Sequence, residues 1–592
     1  MKIVFDIETN GLLDVLDTLH CNAYFDLDDP NAVVKCAVTT EEHEALILQM
    51  QDADELIGHN IIGFDIPAIQ KIYPWFQPKG KITDTLVLSR LIKANMLEED
   101  AARQFPQDQF PKRLMGSHSL RAWGLRMKIL KDDYDGGWEV CTQEMIDYCM
   151  KDVTVTIALY KLLMAQDFSE QSIELEHDLT VICNKIGDAG WRFDIDKATQ
   201  LLAQLSTLRA TLKDELATLF EPWEIYETFI PKVNNKARGY VKGVPFKKIK
   251  VVDFNPNSRK HIQYCLNKKY GWKPEVFTPS GDGKIDETVL ASLEYPEAKK
   301  LAQMFLVQKR LGMLAEGKAA WMKLLDSDGR LRHQIISGGT ISGRASHRSP
   351  NIACTPSVRA LWGRECRELF TVDEGWVLLG SDLQALELRI LAHYLPDGGI
   401  YAQQIVEGDI HSYNQSIVEG LTSRAMAKGF IYSMIFGGGD KLIGNICGGD
   451  AKLGKQLKAD FDAGMPAFKK LKKQLGNAYK RGYLLGLDGR KLFIRAEHVL
   501  LSQLLQSGGA LVCKQWLKLV DEQIQKEGLQ DRVVIQGWIH DEIQIAVKGK
   551  ELANHVGNLV CRMAEKAGET LRITKIKTEA SFDIGATWAD TH

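Results

Sequence analysis

The stretch that most constrains the fold of this chain is an acidic turn at residues 537–542, between two apolar runs. Residues 533–535 are β-branched, and large apolar residues recur at every second position over 543–547, so the sequence predicts the two strands of a hairpin. The turn carries Asp541 and Glu542, where an Asn-Gly or Asp-Gly pair would be ordinary. Two acids held on rigid strands can bind a hard divalent cation, and a simple polar hairpin tip is the alternative.

Another acid follows a predicted buried strand. Residues 376–379 form a continuous apolar run, which leads to Asp382. A helix is predicted over residues 383–393, with Glu387 near its start. An acid at the end of a buried strand must be desolvated or bound to a ligand, so we expect Asp382 to join Asp541 in one metal site.

A helix predicted over residues 424–437 carries two cations and two aromatic rings on one face. The four residues are spaced four apart: Arg424, Lys428, Tyr432 and Phe436. This spacing aligns them along one side of a helix, where the cations suit a triphosphate and the rings suit a stacked base. For such a helix taken alone, a core stripe of aromatic residues with snorkelling cations is the alternative.

The chain begins with a predicted strand in which Asp6 and Glu8 share a face. Two carboxylates about 7 Å apart repel each other unless a cation lies between them. Asp65 follows in a Gly- and Asn-rich loop, and the spacing of Tyr148 and Asp152 places both on one face of a later helix. Taken singly, each of these acids could be an ordinary surface or capping group.

Composition limits the class of protein. With 592 residues the chain is too long for one core, and its length predicts roughly three or four domains. A hydrophobic fraction of 45% and a charged fraction of 26% are typical of a globular protein, and no apolar run approaches the roughly 18 residues of a membrane span. The 11 cysteines include no Cys-x-x-Cys pair, so they indicate neither a zinc site nor a disulfide frame and suit a reducing cytoplasm.

Positive charge is concentrated at residues 229–252. The net charge of the whole chain is −3, so any binding of nucleic acid must rest on local patches. This segment contains no acid, and its seven cations are Lys232, Lys236, Arg238, Lys242, Lys247, Lys248 and Lys250. We interpret it as an extended loop or hairpin, inserted between helices, that follows phosphates or docks a partner; a solvated loop is the alternative.

Taken together, the N-terminal acids resemble those of the DEDD family of 3′–5′ exonucleases in its Tyr-containing form. The four acids of that pattern are Asp6, Glu8, Asp65 and Asp152. The resemblance implies a ribonuclease-H-like domain in which the acids hold two Mg²⁺ ions, with Mn²⁺ as an alternative, and Tyr148 orients the attacking water.

The later motifs resemble those of the family A (Pol I type) DNA polymerases, and the match covers nearly the whole chain. The matching residues are Arg344, Asp382, Glu387, Arg424, Lys428, Tyr432, Gln506, His540, Asp541 and Glu542. A closer likeness, to the replicative polymerases of T-seven-like short-tailed phages, rests on residues 84–92, 504–511 and 588–592. The implied fold is a multidomain α/β chain, with a ribonuclease-H-like exonuclease joined to a right-hand polymerase of palm, thumb and fingers.

For the polymerase metals, the resemblance implies that Asp382 and Asp541 bind two Mg²⁺ ions. The backbone carbonyl of Leu383 completes the ligand set, and Glu542 is a nearby acid with a secondary role.

For the nucleotide, the resemblance implies that Arg424 and Lys428 hold the incoming triphosphate, with Lys428 as the proton donor to the leaving pyrophosphate. His411 adds a phosphate contact. Glu387 excludes the ribose 2′-hydroxyl, and Tyr432 implies tolerance of dideoxynucleotides.

For the primer–template, the implied contacts are Arg344, Gln506 and His540. Two departures from the family bear on the site: Phe436 stands where Tyr is usual, and Ser502 replaces a usual Asn near the minor-groove glutamine. The basic segment 229–252 is also much shorter than the thioredoxin-docking insertion of the phage relatives, so thioredoxin dependence does not follow.

The predicted function is template-directed DNA synthesis with 3′–5′ proofreading, in the replication of a phage genome within the host bacterial cytoplasm. The predicted partners are primer–template DNA, dNTPs, a processivity factor, a replicative helicase–primase and a single-strand-binding protein. The predicted domains are an exonuclease at 1–165, connecting helices and a thumb at 166–330, palm parts at 331–400 and 486–592, and fingers at 401–485.

Two other functions are considered. An RNA polymerase or reverse transcriptase could use a similar palm, but Glu387 argues against ribonucleotides and the exonuclease argues against both. A nucleic-acid-binding scaffold with inactive sites is also conceivable, but all the expected carboxylates are present.

Overall fold

The structure is a computed structural model that describes residues 1–103, 105, 110–129, 134–278 and 280–592. The chain forms two compact units. One comprises Met1–Arg192, Arg332–Thr355 and Thr371–His592, and the other comprises Phe193–Leu331 and Pro356–Phe370. No helix within the described ranges is long and apolar enough to cross a membrane.

The N-terminal part of the first unit contains a mixed sheet and its flanking helices. The elements are β1 (Lys2–Thr9), β2 (Leu19–Asp26), β3 (Lys35–Ala37), α1 (Thr40–Asp52), β4 (Glu55–Gly58), α2 (Asp65–Ile72), β5 (Lys81–Asp84), α3 (Thr85–Ile92), α4 (Met96–Arg103), α5 (Leu120–Met127), α6 (Gln143–Met164) and α7 (Glu170–Ala189).

The five strands lie in the order β3-β2-β1-β4-β5, with β1 antiparallel to β2 and parallel to β4. Alternate residues of β1 face opposite layers, as its period-2 pattern predicts. Ile3, Phe5 and Ile7 join the core formed with α1 and α2. Val4 joins the core of α6, so Asp6 and Glu8 extend from the face that α6 covers.

The second unit and the strands at its boundaries form the middle of the chain. The elements are β6 (Trp191–Phe193), α8 (Ile195–Ala217), β7 (Trp223–Phe229), β8 (Phe246–Val252), α9 (Arg259–Tyr270), α10 (Glu287–Ala291), α11 (Pro296–Leu311), β9 (Arg330–Leu331), α12 (Gly363–Arg367) and β12 (Phe370–Thr371).

The basic segment forms a hairpin of β7 and β8, which confirms one of its two predicted forms. The hairpin begins at Trp223 rather than at residue 229, so it includes two acids that the sequence prediction left out. One of them, Glu227, lies 3.4 Å from the Lys250 ammonium. Tyr226 and Ile249 form a cross-strand pair and are 65% and 55% exposed. The hairpin is therefore a mixed basic and apolar surface.

The rest of the first unit is built around an antiparallel sheet and a long buried helix. The elements are β10 (Gln334–Ile336), β11 (Ser346–Arg348), β13 (Trp376–Leu383), α13 (Leu386–Tyr394), α14 (Ile400–Val406), α15 (Ile410–Ile417), α16 (Arg424–Ile435), α17 (Asp440–Ile446), α18 (Ala451–Gly464), α19 (Pro466–Arg481), β14 (Tyr483–Leu485), β15 (Lys491–Phe493), α20 (Leu500–Lys526), β16 (Val533–Ile539), β17 (Glu542–Lys548), α21 (Lys550–Thr570) and β18 (Ala580–Gly585).

The predicted acidic hairpin is confirmed as β16–β17, and the four-stranded sheet has the order β16-β17-β13-β18. The helix after β13 begins at Leu386, three residues later than predicted. The cause is local: β13 continues through Leu383, and Ala385 takes a left-handed φ of 48° before the helix begins.

A buried ionic cluster ties α7 to α20. Glu176 of α7 accepts hydrogen bonds from Arg490 at 2.7 Å and from Lys514 of α20. Burial raises the pKa of Glu176, but Lys514 and Arg490 outweigh it and hold the pKa at about 2. Asp488 binds the same Arg490 guanidinium at 2.7 Å. Because removal of one partner would leave a buried charge uncompensated, the cluster fixes how these elements pack.

Two candidate catalytic sites

Asp382 lies on β13, beside the turn between β16 and β17 that holds Asp541. Asp382 is opposite Glu542 across β13 and β17, and the Leu383 N–H donates to the Asp541 carbonyl at 3.0 Å. The Asp382 side chain still reaches solvent. Partial loss of hydration, together with the charges of Asp541 and Glu542, raises the pKa of Asp382 to about 7. The carboxylates therefore repel each other unless a cation is shared between them.

Glu542 is buried and already held by protein groups. Its Oε1 accepts from the Trp588 indole N–H at 2.5 Å and from Gln544 at 2.6 Å, and its Oε2 lies 2.8 Å from Nδ1 of His592. These contacts fix the carboxylate within the sheet. Residues 588–592 resemble the phage polymerases in sequence, but nothing in their pattern indicated that their side chains reach the acidic turn.

A small cavity opens beside the aspartates. Arg344, Glu387 and Asp541 line it, and Arg344 donates to Glu387 Oε1 at 3.1 Å. Burial raises the pKa of Glu387, and Asp541 adds to the rise. Burial likewise raises the pKa of Tyr432, with contributions from Glu387 and Asp541. The middle of α16 thus lies near the acids.

The start of α16 carries the predicted phosphate-binding cations. Arg424 donates to both carboxylate oxygens of Asp409, at 2.5 and 3.2 Å. Burial lowers the pKa of His411, and the charges of Arg424 and Lys428 lower it further. The rings of His411 and Tyr432 are 6.0 Å apart. Asp409 was not predicted, since only the tertiary fold brings it to Arg424.

The remaining predicted polymerase residues surround the same cavity or the end of α16. Gln506 lies on α20 one turn before Gly509, which lines the cavity. His540 lines it as well and has a left-handed φ of 61° in the acidic turn. The hydroxyl of Ser502 donates to a carbonyl of the preceding helical turn at 2.9 Å. Phe436 follows α16 and is 41% exposed.

The second site lies on β1 and its neighbours. The ligand atoms of Asp6, Glu8 and Cys149 are all within 4.8 Å of one another. Asp65 accepts a hydrogen bond from the Ile7 N–H at 3.2 Å. Burial raises the pKa of Asp65 to about 7, although the Ile7 bond opposes the rise. Three acids from two elements therefore converge at one end of the central strand β1.

The helix α6 supplies the other predicted members of this site. Asp152 is buried, and its charge contributes to the raised pKa of Asp65, after burial and the nearby Asp84. Tyr148 lies one turn earlier on α6, with its ring 5.7 Å from that of Tyr134. The four acids and the tyrosine are thus brought to one region.

Two further residues shape this site without a signal in the sequence pattern. The Cys149 thiol donates to the Asp6 carbonyl at 3.3 Å and lies 3.7 Å from its carboxylate. The buried Asp84 accepts from the Asn60 and Ile62 N–H groups at 2.8 and 3.1 Å. Asp84 thereby shapes the loop that precedes Asp65.

Both sites suit a divalent metal by their chemistry. Each is a cluster of carboxylates, and in each one member has its pKa raised by burial and by neighbouring acids: Asp382 in the first site and Asp65 in the second. Carboxylate oxygens are hard ligands, and a divalent cation would relieve the repulsion within each cluster.

Two protein-family models match the two parts of the chain that contain these sites. A model described as DNA polymerase family A matches residues 233–590, and a model of the RNase_H superfamily matches residues 3–164. The DNA-directed DNA polymerases of Enterobacteria phage T3 and Escherichia phage T7 are each 31% identical to this chain over 707 residues, covering 100% of both chains. Since this chain has only 592 residues, both relatives carry segments that it lacks.

A solved structure has the same overall fold. The POL domain of Pol1 from M. smegmatis, in complex with DNA primer-template and dNTP, aligns with a TM-score of 0.74 at 17% identity. The alignment covers 99% of this chain and 96% of that one.

The fold and the two acidic sites define a DNA-synthesising enzyme with an attached ribonuclease-H-like exonuclease domain. The chain belongs to DNA polymerase family A, as a DNA-directed DNA polymerase similar along its whole length to those of phages T3 and T7. The family and the fold class predicted from the sequence are both confirmed.

Proposed function

We propose that this polymerase replicates a phage genome in the host bacterial cytoplasm and proofreads its own product. The observation that supports this proposal most is the pair Asp382 and Asp541 beside a cavity lined by Arg344, Glu387 and Asp541, with a separate acid cluster on β1. The proposed domains are those given by the sequence: exonuclease 1–165, connecting helices and thumb 166–330, palm 331–400 and 486–592, and fingers 401–485.

In the polymerase site, Asp382, Asp541 and the carbonyl of Leu383 would hold two Mg²⁺ ions. Bound there, the ions supply activation of the primer 3′-oxygen and charge neutralisation on the triphosphate. Glu542 acts as support, because its oxygens already contact Trp588, Gln544 and His592. The chain holds the two aspartates rigidly, because Asp382 lies on β13 and Asp541 lies in the turn that leads into β17, the strand paired with β13.

The nucleotide would be bound by α16 and α15. Arg424 exchanges the Asp409 carboxylate for the triphosphate, with Lys428 and His411 beside it, and Lys428 donates a proton to the leaving pyrophosphate. Tyr432 packs against the nucleoside. Arg344 and His540, which line the cavity, and Gln506, one turn before the lining residue Gly509, contact the primer–template.

In the exonuclease site, the four acids on β1, α2 and α6 would hold two Mg²⁺ ions. The ions supply a nucleophilic water and stabilise the leaving 3′-oxygen. Tyr148 orients that water from α6. The carboxylate-rich site suits Mg²⁺ or Mn²⁺, which prefer oxygen ligands.

Sugar selection tests the proposed function. Glu387 is fixed by Arg344 beside the acids, and in the proposed complex it blocks the space that a ribose 2′-hydroxyl would need. We expect primer extension with dNTPs to exceed extension with rNTPs by ~10²-fold or more, and Glu387→Ala to narrow that ratio. Steady-state incorporation of dATP and ATP on one primer–template measures it. Equal rates with the two sugars in the unchanged protein would contradict the assignment.

The basic hairpin is proposed to hold duplex DNA directly, in place of a docked thioredoxin. Replacing Lys247, Lys248 and Lys250 with glutamine should shorten the product made per binding event, and the dependence of product length on salt should become shallower because fewer phosphate contacts remain. Single-cycle primer extension with trapped enzyme measures product length, with and without added thioredoxin.

A matched control removes three exposed cations of α11 that acids already neutralise. Lys299, Lys300 and Lys309 pair with Glu294, Glu215 and Glu287 at 3.3, 2.8 and 2.8 Å. Their replacement by glutamine should leave product length nearly unchanged. If the hairpin variant also made products of normal length, the hairpin would be a solvated surface. Lengthening by thioredoxin would instead identify it as a docking site.

A further inference from the structure

A cleft of about 780 Å³ lies between the exonuclease sheet and the polymerase strands of the first unit. One wall contains Asn60 and Gly63, from the loop that leads to Asp65. The opposite wall contains Ile336 and Arg348 of the β10–β11 pair. At Arg90 of α3 the cleft adjoins a smaller one of about 360 Å³. The smaller cleft continues along residues 338–341, which lead to Arg344 at the polymerase cavity.

Arg90 stands at the junction of the two clefts. Within the part of the chain that the structure describes, its guanidinium has no ion pair or hydrogen bond. Burial lowers the pKa of Arg90, and the like charge of Arg348 lowers it further, while Asp84 opposes them. An arginine remains charged at neutral pH, so two neighbouring guanidinium groups repel each other until an anion lies between them.

The acids that line the larger cleft do not relieve this repulsion. Glu176 is committed to Arg490 and Lys514. Burial raises the pKa of Asp188, and Arg332, a third cation of the cleft, opposes the rise. Among the described residues, Arg348 donates its side-chain hydrogen bond to the neutral side chain of Gln334, at 2.7 Å. The cleft therefore has an excess of positive charge.

We propose that Arg90 and Arg348 bind phosphodiesters of single-stranded DNA on its way to the exonuclease acids. The cleft connects the loop of Asp65 with the segment that leads to Arg344, so a strand leaving the polymerase cavity would pass these two cations. A planar guanidinium group can bind two phosphate oxygens at once, which suits a contact to the DNA backbone that does not depend on base sequence. The inference rests on the proposed proofreading function. The proposal gives a role to Arg90 in residues 84–92, a stretch that stood out in the sequence only by its resemblance to the phage polymerases.

Steady-state hydrolysis of a 5′-labelled single-stranded oligonucleotide by the full chain tests this role. Arg90→Gln and Arg348→Gln should each raise KM about tenfold and leave kcat within about twofold, because each removes a binding contact rather than a reacting group. The dependence of log KM on log salt should become shallower by about 0.7 per lost phosphate contact. Lys161→Gln, at an exposed site on α6, is the charge-matched control and should change neither quantity.

Several outcomes are decisive. KM values for both variants within twofold of the unchanged protein would overturn the proposal. The proposal would also be overturned if Arg90→Gln abolished inhibition by inorganic phosphate but left KM for the oligonucleotide unchanged. The site would then bind a free anion. Normal primer extension by the variants confirms their folding; should Arg90→Gln fail that check, Arg348→Gln carries the KM and salt tests. If the unchanged protein hydrolysed no single strands, the proofreading function itself would fail instead.

Discussion

Replacing Asp382 with alanine is expected to reduce primer extension by about 10³-fold or more while hydrolysis of single strands continues. Asp382 lies on β13 next to the turn that holds Asp541, and their mutual repulsion marks them as ligands that share a cation. Loss of one carboxylate removes electrostatic stabilisation that a phosphoryl transfer needs and that water does not replace. Steady-state dNTP incorporation on a primed template measures the loss, and oligonucleotide hydrolysis in the same preparation measures the retained activity.

A matched control for this variant lies in the same sheet. Asp583 of β18 is opposite Gly380 of β13 and faces solvent. Asp583→Ala should retain primer extension within about twofold, since it changes an exposed charge without touching the acid pair. If Asp583→Ala and Asp382→Ala lost activity equally, the effect would belong to the sheet rather than to the metal site.

Replacing Asp6 with alanine is expected to have the opposite effect: hydrolysis of single strands falls by about 10³-fold or more, and primer extension stays near normal. Asp6 and Glu8 lie within 4.8 Å of each other on β1, so one alone cannot provide the same metal site. Release of labelled mononucleotide measures hydrolysis, and sequencing of extended products should reveal more misincorporation. Asp52→Ala, at a side chain that is 67% exposed, is the control and should lower neither activity.

The local parts of both sites were predictable from the sequence because periodicity encodes which residues share a face. The alternation around Asp541, the apolar run before Asp382 and the four-residue spacing from Arg424 each gave the correct element. The late start of the helix at Leu386 was missed, because the left-handed turn at Ala385 has no glycine or asparagine to mark it.

Contacts between distant residues could not be predicted in this way. Glu542 is held by Trp588 and His592, and Arg424 is held by Asp409, through packing that brings separate elements together. Cys149 approaches Asp6 although they are 143 positions apart. The buried strand before Asp382 and the family resemblance predicted which acids act together, but the residues that support them emerged only from the three-dimensional structure.

The central claim is that one chain carries two separate catalytic sites, and complementation on a mismatched primer tests it most directly. A 5′-labelled primer with a 3′-terminal mismatch is annealed to template and incubated with Mg²⁺ and dNTPs. Asp382→Ala should only shorten the primer, Asp6→Ala should stall at the mismatch, and a mixture of the two should restore full-length product. If either variant lost both activities, or if the mixture restored no product, the two-site account would be contradicted.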